Sequence, residues 1–356
     1  MYNILVINPG STSTRISLFK GDSEDTLKET TFKNIQHPAE SLRDLKDSAD
    51  QVELRKEAIN NFLNKHRFEP IHLIAARGGL VRPIAAGSYR INERMIDDLK
   101  NNRYGSHESN LGALIAARLG LLFNCPSLIA DPVGVDEFQP LARYSGFPGM
   151  QRLSQSHALN IRATARRAAR NMGCSFEALR LIIAHLGGGV SIAPLLHGKI
   201  IDVNNANDGG PFSPQRTGSL PTTQLVDLAF SGKYRDAREL KAILTKKSGL
   251  LGYLGTDDGR DVLRRIEQGD SQAEEVYRAM AYQIAKEIGA MATVLKGRVD
   301  AIVLTGGLAH PPLTSWIEER TGWIAPNRTY PGENEMPALA EAGLRILTGK
   351  ERLKEY

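Results

Sequence analysis

Cysteine is nearly absent: Cys125 and Cys174 are the two in 356 residues, and neither stands in a C-x-x-C pair or another metal-ligand spacing. No disulfide framework and no zinc site are expected, and a reducing cytoplasm is the expected location. Long apolar runs are missing as well. The run Ile4-Leu5-Val6-Ile7 has only a strand's length and no cationic segment before it, so neither a signal peptide nor a membrane span is expected. Each Gly-Lys pair is followed by Ile200, Tyr234 or Glu351 and never by Ser or Thr, which excludes a Walker-type phosphate loop. Aromatic residues make up 6% of the chain, and none interleave with the basic run over 162–170. Its Arg162, Arg166, Arg167 and Arg170 therefore read as one solvated helix face and not as a nucleic-acid surface.

What remains is ordinary globular material, 41% hydrophobic and 24% charged, long enough for two domains. The turn-rich Ser145-Gly146-Phe147-Pro148-Gly149 marks the boundary, giving domains over 1–150 and 151–336. A formal net charge of +5 suits small anionic ligands.

The most informative stretch is Ile4 to Arg15, where a buried strand enters Asn8-Pro9-Gly10-Ser11-Thr12-Ser13-Thr14, a turn crowded with small hydroxyl residues. Beyond it, Arg15-Ile16-Ser17-Leu18-Phe19 alternates with period two, so the turn closes a hairpin and does not open a helix. The layout recurs at mid-chain. Leu181 to Leu186 runs into Gly187-Gly188-Gly189 and leaves as Val190-Ser191-Ile192-Ala193, and in both places a further strand follows, at 27–32 and 200–203. The order of elements implies a duplication. A third strand, Ala301 to Leu304, ends in Thr305-Gly306-Gly307, so three backbone-rich turns are available to phosphate or ribose. Helices are expected over 53–65, 110–122, 158–172, 276–295 and 338–347. Strands alternating with them make the fold α/β. The 276–295 helix, with Val276, Met280, Ile284, Ile288, Met291 and Leu295 on one stripe, is either core or a dimer seam.

Five motifs together carry a family resemblance: INPGSTSTR at the start, ARGGLVRPI, DVNNANDGGPFSPQRTGSLP, LTGGLAHPP and YPGENEMPALAEAGLR. In this order they resemble the acetokinase family, in its butyrate kinase branch, across essentially the whole chain. The resemblance implies two duplicated ribonuclease-H-like α/β domains of the actin, sugar kinase and heat-shock ATPase superfamily, with a nucleotide cleft between them. It also implies that the 337–356 helix completes the N-terminal domain, and it implies a homodimer. The implied reaction is Mg²⁺-dependent phosphoryl transfer between ATP and a short-chain carboxylate, giving an acyl phosphate and ADP.

A carboxylate is ionised at neutral pH and needs no general base, so the chemistry requires cations and N–H donors that offset repulsion between two anions. By resemblance Arg77 and Arg216 serve the carboxylate and the transferring phosphoryl, with Arg82 close enough to exchange roles with Arg77. His185 donates to phosphoryl oxygens, and His107 is a second histidine of the substrate site. His157, at the entry to a helix, is either structural or supports a residue of the site. Asp131 either lies by the reacting group or orients Arg77. Asn8 and Glu335 position the metal, with Glu333 as the alternative to Glu335. Ser11, Ser13, Arg15 and Gly187 to Gly189 surround the phosphates, while Gly306 and Gly307 lie against the adenosine. Asp258 and Arg260 either stand near the base or pair within an exposed loop.

Two positions depart from the pattern: Leu153 replaces a histidine of acetate kinases, and Gln215 replaces the branch's usual Glu. Butyrate is the expected substrate, with isobutyrate and other branched acids close to it. The alternatives are an acetate or propionate kinase, and an actin- or chaperone-like ATPase or catalytically weakened binding protein.

Overall fold

The computed structural model describes residues 1–43, 48–66 and 69–356. They form two compact units, residues 1–135 together with 334–356, and residues 136–333. The turn at 145–149 lies inside the second unit.

In the first unit, β1 (Tyr2–Pro9), β2 (Ser13–Gly21), β3 (Lys28–Gln36), β4 (Leu73–Arg77), β5 (Ser88–Arg90) and β6 (Ser127–Ala130) form one sheet in the order β3-β2-β1-β4-β6-β5. Ile4, Leu5, Val6 and Ile7 are fully buried because β1 lies inside the sheet, between β2 (antiparallel) and β4 (parallel), and the helices Asn110–Phe123 and Glu335–Leu347 pack against it. A strand covered this way reads as an unbroken apolar run.

The second unit holds β7 (Arg180–Leu186), β8 (Val190–Leu196), β9 (Lys199–Ile200), β10 (Ala301–Gly306) and β11 (Asn327–Pro331). From the β9 edge its order is β9-β8-β7-β10-β11, which matches β3-β2-β1-β4-β6 strand for strand. Pairing senses match as well: the first strand of each unit is antiparallel to its hairpin partner and parallel to the next strand across. The helices Ser48–His66 and Ser271–Val294 precede β4 and β10, while Asn110–Phe123 and Leu313–Thr321 follow them. This is the expected duplicated α/β architecture.

Each unit has its own core. In the helix Ser271–Val294 the stripe Met280, Ile284, Ile288 and Met291 is buried, at roughly 1.5–3 kcal/mol per side chain. Asp270 caps its start by accepting Ala273 N–H, and Lys296 and Gly297 end it in left-handed conformation. Among the described residues no helix is long and apolar enough to cross a membrane.

Three local expectations change. The strand expected at 200–203 shrinks to β9, because Ile201 O accepts Gln139 N–H and Asp202 Oδ1 accepts Val203 N–H, which diverts the backbone from the ladder. The basic face over 162–170 is not wholly solvated. Arg162 is buried, donates to Gly198 O and stacks with Arg166 on Phe176, because the helix Ala158–Asn171 turns that edge inward. The last helix begins at Glu335 and not at 338, since Pro337 falls in its first turn, where a missing N–H breaks no helical bond.

Candidate active site

In the first unit the parallel pairing of β1 and β4 brings Asn8 and Arg77 out at neighbouring strand ends, where ligands bind in open α/β sheets. The helix Glu335–Leu347 can lie directly over these strands because position 343 is glycine: a Cβ there would sit 2.8 Å from Leu73 Cδ2 and 3.3 Å from Ile4 Cγ2. Its first residue therefore reaches the same place. Asn8 Nδ2 donates to Glu335 Oε2 at 2.7 Å and Arg77 Nη1 to the same oxygen at 3.0 Å. The geometry joins Asn8, Arg77 and Glu335 into one group.

Sequence reading missed the residue that supports the Arg77 turn. Buried Asn110 accepts Leu80 N–H at 2.8 Å and donates to Asn102 Oδ1 and Gly105 O, tying the segment after Arg77 to the loop that carries His107. Gly79 is required beside it, since a Cβ would lie 2.2 Å from Asn110 Oδ1. The signal available was an asparagine at the start of an otherwise apolar helix.

His107 Nδ1 accepts Ser109 N–H at 3.1 Å, and Nε2 lies 3.6 Å from Glu108. Asp131 follows β6 at φ +39, and its Oδ1 accepts Gly87 N–H at 2.7 Å. Arg82 lies apart from this hydrogen-bonded group, with its guanidinium 4.4 Å from the centre of the Tyr356 ring, whose hydroxyl accepts the Arg82 N–H. Ser11 is exposed at the β1–β2 tip, Ser13 is half-buried at the start of β2, and Arg15 projects to solvent.

In the second unit the triple glycine joins β7 to β8, with Leu186 paired to Val190. His185 is buried just before it. Its Nδ1 lies 3.1 Å from Asn160 Oδ1, while Nε2 faces Gly187 and stands 3.9 Å from Glu333 Oε1. The ring stacks on His157, with centroids 4.0 Å apart, and His157 Nδ1 bonds Ser191 Oγ at 3.0 Å. Asn160 holds the imidazole from behind.

Arg216 rests on Gly189, and its Nε has no hydrogen-bond partner among the described residues. Burial pushes this guanidinium below its ordinary pKa. The loop that carries it is clamped: Ser248, Leu250 and Leu251 N–H groups donate to Gln215, Ser213 and Pro214 carbonyls, and Ser213 Oγ donates to Gly188 O. Gly249, at φ +62, is needed for that clamp, because a Cβ would lie 1.7 Å from Ser213 O. Gln215 donates to Asp257 Oδ2 at 2.6 Å.

Gly306 approaches Leu186 so closely that a Cβ would sit 2.3 Å from its carbonyl oxygen, whereas Gly307 has open space around it. Asp258 caps the helix Gly259–Glu267 and accepts Arg260 Nε and Nη2, an exposed local pair that holds the Asp258 carboxyl at about 2. Leu153 is exposed.

Among the described residues no three His, Cys, Asp or Glu side chains converge on a metal position. Asn8 and Glu335 still suit Mg²⁺, which prefers hard oxygens, keeps several waters and takes few protein ligands when it travels with phosphates. With Nδ2 and Oε2 engaged on each other, Asn8 Oδ1 and Glu335 Oε1 remain as the oxygen donors of this pair.

Comparison with known proteins agrees with this architecture. Residues 151–312 match the acetokinase family. The whole chain aligns with all of a probable butyrate kinase 2 from Caldanaerobacter subterraneus at 47% identity, and with 99% of a probable butyrate kinase from Listeria monocytogenes at 45%. The crystal structure of Porphyromonas gingivalis acetate kinase superposes with a TM-score of 0.79, covering 98% of this chain and all of that one at 20% identity, which establishes the shared fold.

Proposed function

The chain belongs to the acetokinase family, and on that premise we propose that it is a butyrate kinase, moving the γ-phosphoryl group of ATP to the carboxylate of a short-chain fatty acid. One phosphorus–oxygen bond to ADP breaks as one to the carboxylate oxygen forms. No proton is transferred. The observation that carries this reading is the likeness along the full chain to two probable butyrate kinases, and the distribution of charge supports it.

Because the nucleophile is already ionised, the protein's task is to place cations around anions. Arg77, held by Glu335, orients the carboxylate, with Arg82 or His107 at its far side. Arg216, half-buried with an unpaired Nε, meets the transferring phosphoryl, where a partly desolvated guanidinium interacts more strongly than it would in water. His185 donates through Nε2. Its Nδ1 faces Asn160 at 3.1 Å, which fixes the orientation of the ring.

Asn8 and Glu335 would hold Mg²⁺, directly or through water, and the ion would neutralise phosphate charge. Ser11, Ser13 and Gly187 to Gly189 receive the phosphates, Gly307 the adenosine, and Asp131 steadies the loop after β6. Arg15, Gly306, Asp258 and Arg260 complete the proposed nucleotide set. The two cysteines are free, which suits a cytoplasmic enzyme. A homodimer is proposed on the helix Thr222–Phe230, which buries no residue of its own and leaves Val226 and Phe230 exposed.

The test is hydroxamate trapping of acyl phosphate from Mg-ATP with acetate, propionate, butyrate, isobutyrate and valerate in parallel. Preference for four-carbon acids is expected. Preference for acetate would move the enzyme within its family, and ATP hydrolysis without trapped product would overturn the kinase reading.

A further inference from the structure

Arg55 is fully buried, although it is a charged residue on the helix Ser48–His66. It sits in the helix's apolar stripe, between Val52, Ile59 and Leu63, where an aliphatic side chain would satisfy packing. Removing a guanidinium from water is costly unless its N–H groups are used. Both terminal nitrogens are used on the β1–β2 tip, while Nε has no hydrogen-bond partner among the described residues. Nη2 donates to Ser11 O at 2.9 Å, and Nη1 donates to Ser13 O at 2.8 Å and to Thr14 Oγ1 at 2.9 Å.

A second donor works beside it. His37 N–H donates to Thr12 O at 2.8 Å, and His37 Nε2 lies 2.9 Å from Thr14 Oγ1. Burial and the neighbouring Arg55 push the His37 ring down to about 4, so it is neutral near pH 7. The Thr14 hydroxyl thus accepts from Arg55 and also bonds His37 Nε2. Three successive carbonyls, those of Ser11, Thr12 and Ser13, are thus tied from the inner side of the tip.

In a planar trans peptide the N–H points opposite the carbonyl of the preceding residue. Tying the Ser11 and Thr12 carbonyls inward turns the Thr12 and Ser13 N–H groups the other way. Successive N–H groups presented by a fixed turn make an anion-binding concavity. We propose that Arg55 is a positioning residue for phosphoryl transfer, fixing from beneath the orientation of the β1–β2 tip that receives nucleotide phosphate. This rests on reading that tip as a phosphate-facing turn.

The test compares the full-length protein with Arg55→Lys, Arg55→Met and Thr14→Val, the last removing only the shared hydroxyl. In folded Arg55→Lys the KM for ATP should rise about tenfold while the KM for butyrate changes less than about twofold, a split that general loss of core stability would not give. Amides of residues 11–14 should exchange with deuterium about tenfold faster than in the parent, and Mg-ATP should protect them less. Thr14→Val should show the same pattern at about threefold, and it carries the test if both Arg55 variants fail to fold. Unchanged nucleotide KM and unchanged exchange at the tip in a folded variant would overturn the proposal. If the parent forms no acyl phosphate, the proposed function fails, while loss of Mg-ATP protection at the tip in Arg55→Lys still supports the brace and retained protection contradicts it.

Discussion

The Arg216 guanidinium lies against the backbone of Gly189: a Cβ at that glycine would stand 2.8 Å from Cζ and 2.9 Å from Nη1. These two residues are far apart in sequence, and the clamp on the Arg216 loop makes the contact specific. A glycine at this turn therefore does more than open the backbone to phosphate. It leaves room for the cation.

Gly189→Ala should separate these effects. The clash falls on the end of a flexible side chain, so the guanidinium moves aside and stability changes by less than about 1 kcal/mol. Turnover should drop by roughly 10²-fold, the range for losing one preorganised charge-stabilising donor. Thermal melting alongside kcat checks this, and near-parent kcat would place Arg216 outside the reaction. Arg216→Lys should lose a similar factor, because an ammonium cannot reproduce the planar fork.

Asn8→Ala removes one oxygen of the proposed metal pair and one of the two donors on Glu335 Oε2. The Mg²⁺ concentration needed for half-maximal rate should rise about fivefold or more, with the KM for the carboxylate changed less. A magnesium titration at fixed ATP measures it. An unchanged requirement would remove Asn8 from metal positioning.

His37 gives a pH prediction. Its folded-state pKa is depressed from 6.5 to about 4, so between these values the unfolded chain binds more protons and stability falls as pH falls. Above pH 6.5 its contribution is fully present, and the loss toward pH 4 is on the order of 3 kcal/mol. His37→Gln should flatten the difference in melting temperature between pH 6.5 and pH 4.5. An equally steep decline in the variant would assign the loss to other groups.

Much of the fold was legible because strands that enter glycine-rich turns announce themselves by an apolar run followed by residues without bulk. The duplication could be seen for the same reason, as β1–β2 and β7–β8 repeat one layout. The start of the Glu335 helix was hidden by Pro337, which reads as a stop yet is harmless in a first turn. Local spacing also concealed long-range supports. Asn110 beneath Gly79, Asn160 behind His185 and Gly249 beneath Ser213 act on residues 25 to 36 positions away in the chain, and no period in the sequence reports such contacts. Arg55 did leave a mark, a charge within an apolar helical stripe. The group formed by Asn8, Arg77 and Glu335 depends on two adjacent parallel strands and a helix from the far end of the chain.

The most direct test of the central claim is phosphorus NMR of the purified protein with Mg-ATP and butyrate. An acyl phosphate resonance should grow in equal amount with ADP, depend on butyrate and be lost in Arg216→Ala. Inorganic phosphate appearing in place of acyl phosphate, or equal product without butyrate, would contradict the claim.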